Sequence, residues 1–515
     1  MLDNRATELA RRAAGLTLKD ELARAFADWP DRIALEQDGR GLSYAALDDR
    51  SRRLADALAA RGLRHGDRIA LLSENRTEYL ELLVTAARAG LILCAQNWRL
   101  APEELRHCVD LVAPALIVAS PRFADQARAL WPQADLLVLG PDYEAAIAAA
   151  RPVLPDHPVD PEDGVVILYT SGTTGRPKGA LISQRAMVAR AHVMAMDLPC
   201  DADDAFVAWA PLFHMVSTDP SLATLMRGGT VIVADGFDAA ALAGLTVSRR
   251  IGHLVLMPGM IAEFLDAFRA IGRPARGVKW VGVMADLVPR RQLQEVTTAL
   301  NAPYVNSFGS TETGAPPATA GTVPVGVLPE TLDKTVSSLC QIRLLDEDGC
   351  EVAEGAPGAL AIRAPTLFSG YWRNPEATED SFRDGWFHMG DVFRRTAPGK
   401  LAFVDRRKYL IKSGGENIYP AEIEQVILAL PAVRDAVVVR RADDRWGEVP
   451  VAFVVARDGE ALDAATVLAG CDGPIARYKR PREVFIVADA ALPRSTTGKI
   501  MRHELEQALS DGRLG

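Results

Sequence analysis

Apolar and polar positions along this chain fall into short blocks that switch between a helical and a strand-like period. A helical spacing over residues 16–30 stops at Pro30, and Arg32-Ile-Ala-Leu-Glu then reads as a strand. Leu42-Ser43-Tyr44 leads into a helix through 47–54, for which Ser43 is the capping residue although the Glu of a capping box is absent. Arg68-Ile-Ala-Leu-Leu predicts another strand and 78–89 another helix, closed by Gly90. Leu91-Ile-Leu-Cys and Ala115-Leu-Ile-Val-Ala continue the alternation, and this spacing predicts parallel α/β layers.

Residues 151–161 hold four prolines and predict a stiff connector into Val165-Val-Ile-Leu-Tyr-Thr170, an apolar, partly β-branched run of a strand buried on both faces. Ala205-Phe-Val-Ala-Trp-Ala-Pro-Leu-Phe-His214 reads as a strand ending in a His. Thr230-Val-Ile-Val-Ala, His253-Leu-Val-Leu-Met and Val278-Lys-Trp-Val-Gly-Val follow, separated by helix-like text. After Leu339 the pattern turns to short alternating strands with Gly turns, such as Gln341-Ile-Arg-Leu-Leu and Gly358-Ala-Leu-Ala-Ile-Arg. This predicts a small β-barrel-like section. Charge at Asp405-Arg-Arg-Lys408 interrupts the apolar pattern. Residues 406–515 then carry strands Ala436-Val-Val-Val and Val451-Ala-Phe-Val-Val between helices, a compact α+β unit large enough to fold alone. The chain has no internal repeat and no low-complexity tract.

At 515 residues the chain exceeds one ordinary core, so two or more domains are expected. Its net charge of −9 argues against nucleic acid and anionic membrane as partners, and any nucleotide pocket must be locally basic. Cys94, Cys108, Cys200, Cys340, Cys350 and Cys471 lie scattered without a C-x-x-C pair and read as reduced thiols. Asp3, Arg5, Glu8, Arg11 and Arg12 precede any long apolar run, so no signal peptide is visible, and no stretch approaches a membrane span. The expected location is the cytoplasm.

Behind the Val165–Thr170 run the composition flips to Ser171-Gly-Thr-Thr-Gly-Arg-Pro-Lys178-Gly179. Ser, Thr and Gly expose backbone N–H groups and reach positive φ, so such a loop can wrap a phosphate chain, with Lys178 adding positive charge. The P-loop spacing fails here, since Lys178 follows Pro177 and not a glycine. A flexible polar linker is the alternative, but loops placed by a scaffold are where function concentrates. The wording T-S-G-T-T-G-x-P-K-G resembles the phosphate loop of the AMP-forming adenylating enzymes, a superfamily of acyl-CoA synthetases, peptide-synthetase adenylation domains and luciferase. The resemblance implies that Thr170, Ser171, Gly172, Thr173, Thr174, Gly175 and Lys178 contact ATP.

Further stretches resemble the same superfamily, in the same order, over essentially the whole chain. Asn306-Ser307-Phe308-Gly309-Ser310-Thr311-Glu312 is similar to its Y-G-x-T-E segment, which implies ATP contacts and Glu312 as a Mg²⁺ ligand. Gly385-Trp-Phe-His-Met-Gly-Asp391 resembles G-W-x-x-T-G-D, whose Asp takes the ribose hydroxyls, with Met389 in place of the Thr. Asp405 to Glu424 resembles the hinge and thiol-tunnel loop together: Arg406 would contact ribose or phosphate, Lys408 falls at the hinge position, and Gly414 and Gly415 would leave room for a pantetheine arm. Leu492-Pro-Arg-Ser-Thr-Thr-Gly498-Lys499 matches the P-x-x-x-x-G-K segment, making Lys499 the adenylation lysine. Trp446, Tyr478, Lys479 and Arg480 are, by weaker resemblance, contacts for the nucleotide end of CoA. Pro211-Leu-Phe-His214-Met-Val-Ser217 matches the P-L-F-H segment, with Ser217 where a Gly is frequent. The implied acid pocket is His214, Met215, Val216, Met284, Ser307, Gly309 and Gly314, mostly apolar. Met284 could shorten it and Gly314 could lengthen it. Amino-acid-activating relatives carry an Asp where His214 stands, which argues against an amino-acid substrate, although Asp219 lies near.

The resemblance places the chain in the acyl-CoA synthetase branch. It implies a large N-terminal domain (1–405) of layered α/β subdomains with the β-barrel-like section, and a small mobile α+β C-terminal domain (406–515), hinged near 405–408. The implied reaction is ATP-dependent ligation of a small carboxylic acid to CoA with Mg²⁺, through an acyl-AMP, and a homodimer is the assembly considered. No strong protein base is needed for the second step, because thiols are good nucleophiles that titrate near 8.5. Two other readings stand beside this one: a carrier-protein-loading adenylation enzyme, and a relative that binds or oxidises an acyl-adenylate without making a thioester.

Overall fold

In a computed structural model the described residues are 13–170, 176–413, 416–494 and 500–513. They divide into two compact units, one of residues up to 341 together with 362–387, the other of 342–361 with 388 onward.

The first unit is built on a seven-stranded sheet. Its order is Gly370–Tyr371, Lys178–Ser183, Gly164–Thr170, Ile92–Ala95, Arg68–Leu72, Leu116–Ala119 and Leu136–Val138. The last five are mutually parallel, and helices such as Thr77–Ala89 cross between them. Gly90 ends that helix in the left-handed conformation (φ 62°), as its position predicted. Val165 to Leu168 are buried, as expected of a strand covered on both faces. The apolar run predicted only a strand and a loop. The chain in fact returns: Lys178–Ser183 runs antiparallel to Gly164–Thr170 with Thr170 opposite Lys178, so Lys178 opens a strand.

A second layer joins two four-stranded sheets. Arg40–Ser43, Ile33–Gln37, Val231–Val233 and Phe206–Ala208 form one, and Ile251–Leu254, Val278–Val281, Tyr304–Val305 and Thr322–Val323 the other. A parallel bridge from Ala205 to Ile251 links them. The expected strand 205–214 is shorter than its apolar text, because the chain turns after Ala208. Asn75, 6% exposed, holds that turn: its amide donates to Ala210 O at 2.8 Å and its carbonyl accepts from Leu212 N at 2.9 Å. Ser43 caps helix Tyr44–Ala60, accepting from Ala46 N at 3.1 Å, and that helix is longer than the apolar stripe indicated.

The section expected to be β-barrel-like and part of an N-terminal domain 1–405 carries strands Gln341–Leu345, Pro357–Arg363, Trp386–Ala397 and Lys400–Arg406, which share one sheet, and residues 342–361 and 388–405 of it group with the second unit. The remainder of that unit is α+β around the hairpin Val433–Asp443 and Gly447–Ala456. Alternate residues of the hairpin feed two cores. Val438, Ala452 and Val454 pack with Ile423 and Ile427 of helix Pro420–Leu428, while Val437, Val439 and Phe453 pack with Leu505 of helix Arg502–Ser510. Period-two side-chain alternation with both faces covered is why residues 436–439 and 449–456 read as unbroken apolar runs. All six cysteines are free, and no described helix is long and apolar enough to cross a membrane.

Candidate active site

Two segments of the first unit meet beside the phosphate-loop hairpin. Gly309–Ser310 and Gly314–Pro317 form a small antiparallel pair with Glu312 at its tip. Gly309 is required there: a Cβ would stand 2.1 Å from Gly314 O. The edge strand Gly370–Tyr371 zips onto Lys178–Ser183, with Trp372 N donating to Gly179 O at 2.7 Å and Ser369 N to Leu181 O at 2.8 Å. Phe368 N donates to Glu312 O at 2.8 Å, and the Tyr371 hydroxyl donates to Glu312 Oε1 at 2.9 Å. The Lys178 ammonium sits 4.9 Å from the centroid of the same Tyr371 ring. Two residues singled out in sequence, Lys178 and Glu312, are therefore gathered on one that was not. Burial, with the Glu312 charge, pushes the Tyr371 phenol well above its ordinary range, so it remains a donor at neutral pH. Ser171, Gly172, Thr173, Thr174 and Gly175 lie outside the described residues.

Asn306 is buried and its polar atoms are engaged inside the unit. Its amide donates to Leu332 O at 2.9 Å and its carbonyl accepts from Lys334 Nζ at 2.7 Å. Lys334, wholly buried, also pairs with Asp286 at 2.5 Å and reaches Ser307 O at 3.3 Å. This fastens the 306–307 segment to the loop that carries Met284. Met284 N donates to Ser307 Oγ at 2.9 Å, bringing together two residues of the implied acid pocket. Met284 has φ 51°, a left-handed conformation that costs about 1–3 kcal/mol for a residue of this kind. The network around it holds that strain: Tyr304 donates to Val283 O at 2.9 Å and His253 Nε2 lies 2.8 Å from Gly282 O.

His214 is the N-cap of helix Met215–Met226, with its ring 4.8 Å from that of Phe213. Ser217, where a Gly was expected from the resemblance, donates to Ala210 O at 2.7 Å and Thr218 to Leu212 O at 2.6 Å, which pins the turn before His214. Met215 and Val216 precede Asp219 by four and three residues, so all three lie along one helix face. Asp219 is paired with Arg190 at 3.2 Å, both side chains being almost wholly buried. Arg190 also donates to Thr366 O at 3.0 Å and to Thr311 O at 2.9 Å. Its stem lies where a Cβ on Gly314 would be, 2.8 Å from three Arg190 atoms, and Gly314 itself has φ 75°. Burial pushes the Asp219 carboxyl above its ordinary range, and the Arg190 charge opposes that shift. The sequence reading described this lining as mostly apolar and left Asp219 open as an ammonium partner. The structure pairs Asp219 with Arg190 in the interior of the unit.

The second unit holds the other implied contacts. Asp391 and Arg406 face each other across adjacent strands, with Arg406 Nε 3.1 Å from Asp391 Oδ1. Arg406 is half-exposed and the Asp391 carboxylate buried. Lys408, exposed, lies in the 3₁₀ turn Arg407–Tyr409 that follows strand Lys400–Arg406. Gly414 and Gly415 lie outside the described residues, but their flanks pair, Ser413 opposite both Glu416 and Gly447. Gly447 adjoins Trp446, 37% exposed, whose ring is approached by Arg445 at 4.9 Å and Arg482 at 5.8 Å. Those two arginines were not singled out in sequence. Tyr478 is 48% exposed, Lys479 is paired with Glu422 at 2.6 Å, and Arg480 with Asp472. Lys499 lies outside the described residues.

The profile described as AMP-binding enzyme matches residues 22–372, and that of the AMP-binding enzyme C-terminal domain matches 422–499. The indoleacetate–CoA ligase of Aromatoleum aromaticum is 35% identical over 499 residues, 93% of this chain and 96% of that protein. A feruloyl-CoA synthase of an Amycolatopsis species is 34% identical over 493 residues, 93% and 96% of the two chains. Among solved structures, ATP-bound MatB from Rhodopseudomonas palustris superposes with a TM-score of 0.84 at 29% identity, covering 97% of this chain and all of that one.

Proposed function

The chain belongs to the AMP-binding enzyme family and is an AMP-forming acid–CoA ligase, and from that premise we propose which residues carry its two steps and which acid it takes. In the first step the acid carboxylate attacks the α-phosphate of ATP, giving an acyl-AMP and releasing pyrophosphate. Charge develops on the phosphate oxygens, and Thr170, the Ser171–Gly175 stretch, Lys178 and Lys499 stabilise it. Asp391 and Arg406 hold the ribose, and Phe308, Ser310 and Thr311 flank the nucleotide. Glu312 fits a Mg²⁺ ligand: it is one oriented carboxylate at a turn, and that ion takes few protein oxygens and keeps the rest for phosphates and water. When bound, Mg²⁺ offsets charge on the phosphates. In the second step the CoA thiol attacks the acyl carbonyl, forming the thioester and releasing AMP. Gly414 and Gly415 give the pantetheine passage, and Trp446, Tyr478, Lys479 and Arg480 the nucleotide end.

Residues 406–515 act as a mobile domain that presents Lys499 for the first step and the Gly414–Gly415 loop for the second, turning near 405–408 with Lys408 as the hinge residue. The free thiols support the cytoplasm as its location.

The acid is aromatic, apolar beyond its carboxylate, and lacks an α-amine. The observation that carries this is Asp219 paired to Arg190 at 3.2 Å, so that its charge is already matched by a cation of the protein. The names of the indoleacetate and feruloyl relatives support the aromatic tail. The test is ATP–pyrophosphate exchange over arylacetic, cinnamic, medium-chain aliphatic and α-amino acids. Aryl acids should support exchange best and amino acids hardly at all; fast exchange with an amino acid alone would overturn the reading.

A further inference from the structure

Two opposite charges at one ATP site create a difficulty before ATP arrives. A lysine and a glutamate brought close would pair with each other, and substrate would have to break that pair before using either. The structure shows a single side chain between them. The Tyr371 hydroxyl donates to Glu312 Oε1 at 2.9 Å, and the ring of the same residue lies 4.9 Å below the Lys178 ammonium. Phe368, 4.9 Å away and edge-on, fixes the ring, while Thr378 Oγ1 accepts from Tyr371 N at 2.9 Å. Gly370 lets the edge strand approach helix Pro375–Ser381: it has φ 123°, and a Cβ would meet Thr378 at 2.9 Å.

We propose that Tyr371 is a positioning residue for the adenylation step, holding Glu312 by its hydroxyl and Lys178 by its ring face so that neither neutralises the other. This rests on the reading above of Glu312 as the Mg²⁺ ligand and Lys178 as a phosphate contact. The hydroxyl bond orients one carboxylate oxygen, as partners behind a metal ligand commonly do. The ring holds the ammonium through its quadrupole, an attraction that an arriving phosphate displaces more readily than it would a carboxylate partner.

The two functions separate by substitution. Tyr371→Phe keeps the ring and removes the hydroxyl; Tyr371→Leu removes both. Calorimetric binding of ATP with Mg²⁺ and with EDTA gives a readout independent of turnover. For Tyr371→Phe we expect MgATP binding to weaken roughly tenfold or more while metal-free ATP binding stays as in the parent enzyme. For Tyr371→Leu we expect both to weaken, because Lys178 then pairs with Glu312. An unchanged ratio of MgATP to ATP affinity in Tyr371→Phe would overturn the proposal, as would equal losses in both variants. If Tyr371→Leu does not fold, Tyr371→Phe decides alone. Glu312→Gln is the control on the underlying reading: if it leaves the ratio unchanged, the assignment of Glu312 has failed; if it lowers the ratio and Tyr371→Phe does not, only the role of Tyr371 has failed.

Discussion

Arg190 and Asp219 form an ion pair at 3.2 Å in the interior of the first unit, joining helix Gln184–Asp197 to helix Met215–Met226. The same guanidinium holds the carbonyl of Thr311, the residue before Glu312. One buried cation thus ties the helix that begins at His214 to the turn that presents Glu312. Burial of two charges costs more than their attraction returns unless the remaining polar atoms are matched; two backbone carbonyls take other donors of Arg190, while Asp219 Oδ1 is buried without a hydrogen-bond partner among the described residues.

Arg190→Met should therefore destabilise the protein by about 3–5 kcal/mol, because Asp219 is left buried without its cation. Adding Asp219→Leu to Arg190→Met should recover most of that loss. Denaturant unfolding of parent, single and double variants measures it, and a double variant no more stable than Arg190→Met would show that the pair is not the source of the loss.

How much of this was legible in the sequence depends on how far apart the interacting residues lie. Val165 to Leu168 announce a covered strand because burial on both faces leaves no polar position, and the apolar hairpin runs 436–439 and 451–455 do the same. Gly90 and Ser43 act through residues within one turn, so their caps could be read directly. Tyr371 could not: its partner Glu312 is 59 residues away, and in the text it is one aromatic among many. Arg190 is 121 residues from Thr311 and sits in unremarked helical text. His214 was placed on a strand because the run from Ala205 to Phe213 before it is apolar throughout; the turn there is made by Asn75, 137 residues upstream of Leu212.

Lys499→Ala and Gly415→Leu should damage opposite steps. Removing the lysine takes positive charge from the α-phosphate, so ATP-dependent turnover falls far more than turnover of chemically made acyl-AMP with CoA. Filling the pantetheine passage does the reverse, so acyl-AMP accumulates while thioester does not. Equal loss in both assays for Lys499→Ala, or unaltered CoA turnover for Gly415→Leu, would dismiss the respective role.

Lys408→Pro should separate the backbone of the hinge from its side chain. Proline fixes φ at about −65°, close to the value of the 3₁₀ turn in which Lys408 lies. The variant should form acyl-AMP in a single turnover and fail to pass it to CoA, whereas Lys408→Ala retains most of both steps. Rapid-quench measurement of the two half-reactions checks this; similar damage by both substitutions would move the hinge elsewhere.

Asp405 should give the second unit a measurable pH dependence. Its carboxylate is buried, accepting from Arg406 N at 2.6 Å and from Ala421 N, at the start of helix Pro420–Leu428, at 2.9 Å. Burial raises its pKa to about 6, above the ordinary 3.8. The folded state then holds the proton more tightly than the unfolded state. The contribution is fully present below pH 3.8 and is lost as pH rises through about 6, by about 2–3 kcal/mol at most. Hydrogen exchange in helix Pro420–Leu428 should quicken relative to Asp405→Asn across that window. Parallel profiles for the two proteins would refute the shift.

The most direct test of the account as a whole is mass-spectrometric product analysis with an arylacetic or cinnamic acid, ATP and Mg²⁺, offered either free CoA or a phosphopantetheinylated carrier protein. The account predicts acyl-CoA with AMP and pyrophosphate in equal amounts, and an unloaded carrier. Acyl-AMP that leaves CoA untouched while the carrier becomes acylated would contradict it.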